Sequence, residues 1–283
     1  MDSDANLRIK LKYNTFSAAH KKLADFVLDN PEFVLNKSIS EVADACSVGE
    51  ATISRFCKLL GYKGYHDFKL ALVKQLPKNE AISLPGTVIT QDDSISTVVK
   101  FILNKNIESL NETCSLINEK DLRKAVELLT CAERILFFGA GSSMTAALEG
   151  CNKFMRVTPK ASINIETHMQ YAAAALMSEK DVAVIISYSG STKEIVEIAK
   201  TAKKRGARII CITRYLKSPL TQYSDVSLLC SSNERNVHGY SLSMELTQIF
   251  LLDILYTEFF RQNSEKSLKN KEDSSSIFSD KLF

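Results

Sequence analysis

Apolar and polar positions follow two rhythms along this chain, and the change of rhythm divides it. Over the first 78 residues the apolar positions recur at helical spacing. Leu23, Phe26 and Val27, then Phe33 and Val34, flank Asn30-Pro31, so one helix stops near Asp29 and Pro31 opens the next. Ser38-Ile-Ser-Glu41 has capping-box spacing and predicts a short helix through Val42, Ala43 and Ala45. Ser47-Val48-Gly49 makes a tight turn. A further helix runs from Glu50 to Leu60 with Ile53, Phe56, Leu59 and Leu60 on one face, and Gly61 ends it. After the Lys63-Gly64 turn, a helix from about Tyr65 to Leu76 turns Phe68, Leu72 and Val73 inward.

Residues 79–92 carry Pro85 and Gly86 and no periodicity, which predicts a linker. Residues 93–132 return to helical spacing and predict two leading helices of a second domain. From 133 to 261 short apolar runs alternate with helical stretches: RILFF at Arg134–Phe138, Ala161–Ile165, VAVII at Val182–Ile186, ARIICIT at Ala207–Thr213 and Val226–Cys230. Helices are predicted from Met144 to about Arg156, over Met169–Leu176 (opened by a Thr167-x-x-Gln170 capping box), over Glu194–Arg205, briefly at Leu220–Tyr223, and over Ser241–Phe260. Strands alternating with helices predict an α/β domain with a doubly wound, parallel five-stranded sheet behind an all-α N-terminal domain. The Ser/Lys/Asp-rich tail, 262–283, is expected to be disordered.

Composition narrows this picture without redirecting it. The 283 residues fit two domains, 45% hydrophobic and 24% charged content is that of a globular protein, and no apolar run is long enough to span a membrane. MDSDANLRIK lacks the apolar core of a secretory signal. The seven scattered cysteines, with no C-x-x-C pair, predict reduced thiols in a cytoplasmic protein and no structural zinc. Net charge is only +3, but residues 54–78 hold Arg55, Lys58, Lys63, Lys69, Lys74 and Lys78 against the single acid Asp67. Such a run is either a solvated helix face or a set of phosphate contacts.

Two short helices joined by a tight turn inside a helical cluster have helix-turn-helix geometry, with the second helix in the major groove of DNA. Its outward N-terminal residues are Glu50, Ala51, Thr52, Ser54, Arg55 and Lys58. Arginine can bond guanine bidentately, while Lys63 would meet phosphate and set register. The alternative is a plain helical bundle used for dimerisation. The Ala43–Val48 turn, A-T-I-S-R-F over Ala51–Phe56, K-L-L-G-Y-K-G-Y over Lys58–Tyr65, and Phe68-Lys69 resemble the DNA-binding domain of RpiR-type bacterial regulators. One departure is Gly49, where that family usually has a serine N-cap. Glycine costs roughly a few tenths of a kcal/mol there and removes a hydroxyl that could reach phosphate.

Two loops at predicted strand ends carry the remaining chemistry: Gly139-Ala-Gly141-Ser142-Ser143 and Ser187-Tyr-Ser-Gly-Ser-Thr192. Each opens a helix. Glycine lets backbone N–H groups face an anion, serine and threonine add hydroxyls, and a helix start adds partial positive charge. Neither the P-loop nor G-x-G-x-x-G is present, which disfavours a nucleotide and favours a small phosphorylated metabolite. Ser191 and Glu194 also have capping-box spacing, so Ser191 caps a helix or binds the anion; Ser142 carries the same alternative. These loops, Gly206-Ala207, Ile210–Thr213 and Ser218-Pro219-Leu220 resemble a SIS phosphosugar-binding domain.

That resemblance implies that Ser187, Ser189 and Thr192 hold the phosphate, that Tyr188 and Gly190 offer backbone groups, and that Ser143, with Ser142 second, reaches it from the first loop. Glu166 and His168 are candidates for sugar hydroxyls or are plain capping and surface groups. A helix-turn-helix followed by a SIS domain is the RpiR arrangement. It implies a DNA-binding regulator of sugar metabolism genes, expected to repress, that responds to a sugar phosphate, needs no cofactor or metal, and works as a homodimer or homotetramer on operator DNA. The alternative is a sugar-phosphate isomerase or lyase, drawing a base from Glu149, Glu166, His168 or His238.

Overall fold

The computed structural model describes residues 5–73, 93–231 and 243–279, and these fall into two compact units. The first holds the residues up to Glu108 and the second continues from Ser109. That division lies inside one helix, Ile95–Ser115, and not at its start. The linker expected over 79–92 lies outside the described residues, as does the end of the helix expected to reach Leu76.

In the first unit α1 (Ala5–Lys12), α2 (Ala18–Asp29), α3 (Pro31–Asn36), α4 (Ile39–Ala45), α5 (Glu50–Leu59) and α6 (Tyr65–Val73) enclose one core around Leu23, Val27, Ile53, Phe56 and Phe68. The Ser38 capping box is formed: Ser38 accepts from Glu41 N, and Glu41 accepts from Ser38 N at 2.9 Å. The α4–α5 turn closes with Val48 N on Ala43 O at 2.9 Å and Ser47 N on Asp44 O at 2.9 Å. This is a Schellman end in which Ser47, at φ 52°, occupies the left-handed position usually given to glycine. Helix α1 has no counterpart in the sequence reading. It buries Ala5 and Ile9, and Arg8 Nη1 donates to Leu60 O at 2.7 Å while Lys12 Nζ donates to Leu59 O. Two cations thus cover the carbonyl end of α5, where the helix dipole favours positive charge.

The second unit is built on a parallel sheet of β1 (Arg134–Gly139), β2 (Ala161–Ile163), β3 (Asp181–Ile186), β4 (Arg208–Thr213) and β5 (Val226–Leu229), in the order β2-β1-β3-β4-β5. All six residues of β3 are buried, as its unbroken apolar run requires for a strand covered on both faces. Counting the helix that crosses the division as α7, one face carries α8 (Glu119–Cys131), α9 (Ser142–Met155) and α12 (Met244–Gln262), packed through Val126, Phe137, Phe154 and Leu252. The other carries α10 (Thr167–Ala175) and α11 (Lys193–Lys204), packed through Leu136, Ile185 and Ile198. At Gly150 of α9 an added Cβ would lie 2.9 Å from Leu252 of α12, so these helices meet at a bare backbone. The second half of α7 is tied to the end of β5: Ser231 N donates to Thr113 Oγ1 at 3.0 Å and Ser231 Oγ to Glu112 at 2.8 Å.

Three expectations are corrected. The tail is not disordered throughout: α13 (Ser264–Ser279) buries Ser267, and Asn270 Nδ2 donates to Val157 O at 2.8 Å. Its polar composition belongs to a helix held through side chains on backbone carbonyls. Residues 219–223 are turns, not a helix, because Thr221 bonds back to Ser218 N at 2.8 Å and to Ser218 O at 2.9 Å. The helix after β2 is capped by Glu166, which accepts from Met169 N at 2.9 Å, and Thr167 is its first residue.

Asp181 opens β3 with a buried carboxylate. It accepts from Arg134 Nε at 3.0 Å and Nη2 at 2.6 Å, and from Ser178 N at 2.7 Å. Burial alone would raise its pKa; the Arg134 and Ser178 bonds outweigh it and hold the carboxyl below the usual aspartate range. A lowered folded-state pKa contributes stability that is present above the unfolded value, about 3.9, and is lost as pH falls through the folded value. Asp181→Asn is therefore expected to cost about 2 kcal/mol near neutral pH, since Arg134 is half-exposed, and progressively less as acid protonates the wild-type carboxyl. Urea unfolding across that range measures it.

Candidate functional site

The strand order decides where the two glycine-serine loops meet. The chain leaves β1 toward β2 on one side and returns as β3 on the other, so β1 and β3 are neighbours at the point where the order reverses. Their register pairs Gly139 with Ile186, so both loops begin at the same height on the sheet's carboxyl edge. That crevice is where open α/β sheets receive ligands.

Both loops are held through their own backbone groups. In the second, Ser187 N donates to Ile212 O at 3.0 Å, Arg214 N to Tyr188 O at 3.0 Å, and Leu220 N to Gly190 O at 2.9 Å. Thr213 Oγ1 also donates to Tyr188 O at 3.2 Å. Gly190 has φ +60°, and an added Cβ would fall 2.3 Å from Ser218 Oγ. In the first loop, Gly139 extends beyond short β2, and Gln170 fills the missing strand's place. Its Oε1 accepts from Gly139 N at 3.2 Å and its Nε2 donates to Gly139 O at 3.1 Å. The sequence reading placed Gln170 in a capping box; the fold uses it as a one-residue substitute for a strand.

The hydroxyls lie as follows. Ser143 and Ser187 are buried, Ser142, Ser189 and Thr192 half-buried, and Ser191 exposed. Ser191 is not a helix cap: Thr192 stands at the N-cap of α11 and makes no side-chain cap bond. Nor does Ser142 cap α9, where Gly141 is the N-cap and likewise makes none. By contrast α8 is capped by Asn118 and α10 by Glu166. The helices that open at the crevice thus present first-turn N–H groups that no capping side chain satisfies, which is what an anion needs. Burial opposes the charge of Arg214, yet the rings of Tyr188 and Tyr215 and the Tyr188 hydroxyl, 3.3 Å from Nη1, leave it firmly protonated. Arg214 was missed because a lone arginine after a strand has no pattern.

Gln248 was missed too. It is fully buried in α12, its Nε2 donates to Ser143 Oγ at 3.1 Å, and its Oε1 is buried without a partner among the described residues. An unpaired buried carbonyl costs about 1–3 kcal/mol. Its only sequence signal is a polar residue on an apolar helix face. Glu166 is spent on capping, with its pKa lowered by the His168 and Met169 backbone N–H groups, and His168 is exposed on the same turn. His238 lies outside the described residues.

On α5 of the first unit, Ala51, Arg55 and Lys58 are exposed and Thr52 and Ser54 half-buried. Arg55 Nη2 lies 3.4 Å from Thr52 Oγ1, so those two share one side of the helix start. Glu50 departs from the expected outward position: Ser40 of α4 donates to its carboxylate, which joins the two helices. Lys63 is exposed beyond the turn, its backbone N–H taken by Asp67 at 2.9 Å. Gly49 is the N-cap of α5 and makes no side-chain bond.

Residues 4–79 match the family described as helix-turn-helix domain, rpiR family, and residues 128–258 match the SIS domain. An uncharacterized HTH-type transcriptional regulator of Caldanaerobacter subterraneus is 34% identical, covering 94% of each chain. The HTH-type transcriptional regulator HexR of Pseudomonas aeruginosa is 31% identical over 88% of this chain and 87% of its own. Among solved structures, the Vibrio vulnificus NanR protein complexed with ManNAc-6P superposes with a TM-score of 0.83 at 26% identity, covering 98% of this chain and 99% of that one.

Gly190→Ala is expected to destabilise the second unit by about 1–3 kcal/mol, because the left-handed φ and the Ser218 contact both penalise a methyl. Thermal unfolding of the purified variant checks this; an unchanged midpoint would refute the assigned loop geometry.

Proposed function

The chain belongs to the RpiR family of helix-turn-helix transcriptional regulators, and on that footing we propose how its two units divide the work. The first binds operator DNA through α5, with Arg55 and Thr52 at base edges, Ala51, Ser54 and Lys58 beside them, and Lys63 on phosphate. Glu50 serves as the link to α4 and not as a base contact. The second holds a phosphorylated sugar at the β1–β3 crevice. The observation that carries this is the pair of helix starts, α9 and α11, without side-chain caps at one sheet edge, ringed by Ser142, Ser143, Ser187, Ser189, Ser191 and Thr192. Tyr188 and Gly190 shape the loop between them, and the N-acetylmannosamine 6-phosphate bound by the NanR relative has the class of anion this edge suits.

Regulation follows if the sugar phosphate binds one arrangement of the protein more tightly than another, so that occupancy shifts affinity for DNA. Repression of sugar metabolism genes is the reading we favour. A recognition helix that reads half-sites one helical turn apart needs a second copy. Ile95, Val99, Ile102, Leu103 and Ile107 form an exposed apolar row along α7, which supports a homodimer or a pair of dimers. No described helix is long and apolar enough to cross a membrane, in keeping with a cytoplasmic protein. Sensing is preferred over turnover because Glu166 is committed to a cap and Glu149 pairs with Lys153 at 3.5 Å. Isomerisation of a sugar phosphate at enzyme-like rates would overturn that preference.

A thermal-shift screen against sugar phosphates tests the sensor, since a ligand of the folded state raises apparent stability by mass action. The wild type is expected to respond to at least one, and Ser189→Ala to lose the response while still binding DNA. In fluorescence anisotropy with operator DNA, Arg55→Ala is expected to weaken specific binding by about 1–3 kcal/mol. Lys63→Ala should weaken all sequences alike and lower the salt slope by about one. Operator binding unchanged by Arg55→Ala would remove that residue from the readout.

A further inference from the structure

A fully buried glutamine on an apolar helix face asks for a reason. Gln248 lies among the residues that pack α12 onto α9 and the sheet, a turn before Leu251 and Leu252. Leucine or methionine would fill that volume and strand no polar atom. The amide instead makes one bond, from Nε2 to Ser143 Oγ, and leaves Oε1 unpaired among the described residues. Packing gains nothing from this choice, so the return lies at Ser143.

A serine hydroxyl has one proton and two acceptor lone pairs. The Gln248 N–H occupies a lone pair. The proton stays free, and among the described residues no acceptor takes it. Ser143 is the second residue of α9, in the loop at the β1–β3 crevice, and only 5% exposed. A phosphate oxygen there can only accept. A serine free to rotate would meet it with lone pairs in part of its orientations; a serine already accepting from behind meets it with its proton.

We propose that Gln248 is a positioning residue of the effector site, which fixes Ser143 as a hydrogen-bond donor toward the ligand's phosphate. This rests on the phosphate reading of the crevice proposed above. Gln248 touches no ligand; its whole effect passes through Ser143.

Isothermal titration of the full chain tests it, with inorganic phosphate and a panel of hexose 6-phosphates that includes N-acetylmannosamine 6-phosphate. Gln248→Leu is expected to keep or raise the unfolding midpoint of the free protein, because it removes an unpaired buried carbonyl, while weakening the best sugar phosphate about ten- to a hundredfold. In a Ser143→Ala background the same substitution should add no further loss. Gln248→Glu separates donor from acceptor. Protonated, the carboxyl donates to Ser143 and binding approaches the wild type; ionised, it takes the Ser143 proton and binding collapses. Its affinity should therefore fall with rising pH more steeply than the wild type's. Wild-type affinity in Gln248→Leu, a full loss that persists in Ser143→Ala, or a Gln248→Glu profile parallel to the wild type's would each overturn the inference. Should the wild type bind no phosphate compound at all, the phosphate reading falls, and this inference with it.

Discussion

The structure depends on one constraint of parallel sheets. Neighbouring strands that point the same way must be joined by crossovers, and where successive crossovers go to opposite sides of the sheet, two strand ends are left with helices departing from each other. In this chain those strands are β1 and β3. Their pairing brings Gly139 level with Ile186 and sets two helix starts side by side. Everything chemical at that edge follows. Gly139 lies against the backbone of Ser143 and Met144, Gly190 turns left-handed against the Ser218 side chain, the hydroxyls belong to residues short enough to stay there, and Gln170 closes the flank where β2 ends too soon.

Much of this was legible because it is written in periodicity. Five apolar runs gave the strands, the Ser38-to-Glu41 spacing gave a capping box, and the glycines at 61 and 206 gave helix ends. What the pattern could not hold were contacts between residues far apart in sequence. Helix α1 contributes cationic side chains on the carbonyls of α5, some fifty residues away, a contact that no local pattern records. Gln170 and Gln248 read as ordinary positions in helices until the fold sets them against Gly139 and Ser143. The tail misled for the opposite reason: a helix whose attachments are polar has the composition of a disordered segment.

The capping spacings show where local rules stop. Ser38 and Glu41 form their box, and Lys37 holds the second Glu41 oxygen at 2.9 Å without breaking it. Ser191 and Glu194 have equal spacing and form none, since the chain leaves β3 through a left-handed glycine and begins its helix one residue later. A motif that would satisfy a helix locally goes unused at the place where open donors are of most use. The helix-turn-helix unit shows a milder case at Ser47, a left-handed non-glycine residue whose strain is carried by the two backbone bonds that close the turn.

Gly150 has a consequence of its own. A glycine within a helix forgoes roughly 1 kcal/mol of helical preference relative to alanine. Here the missing methyl lets Leu252 and Phe137 press on the α9 backbone. The same two helices, one turn earlier on α12, bring Gln248 to Ser143 at 3.1 Å. Gly150 therefore works as a shim of zero thickness: it sets the gap between two rods, and the gap sets the length of a hydrogen bond about two turns away along α9. The tolerance of the crevice is cut into its packing.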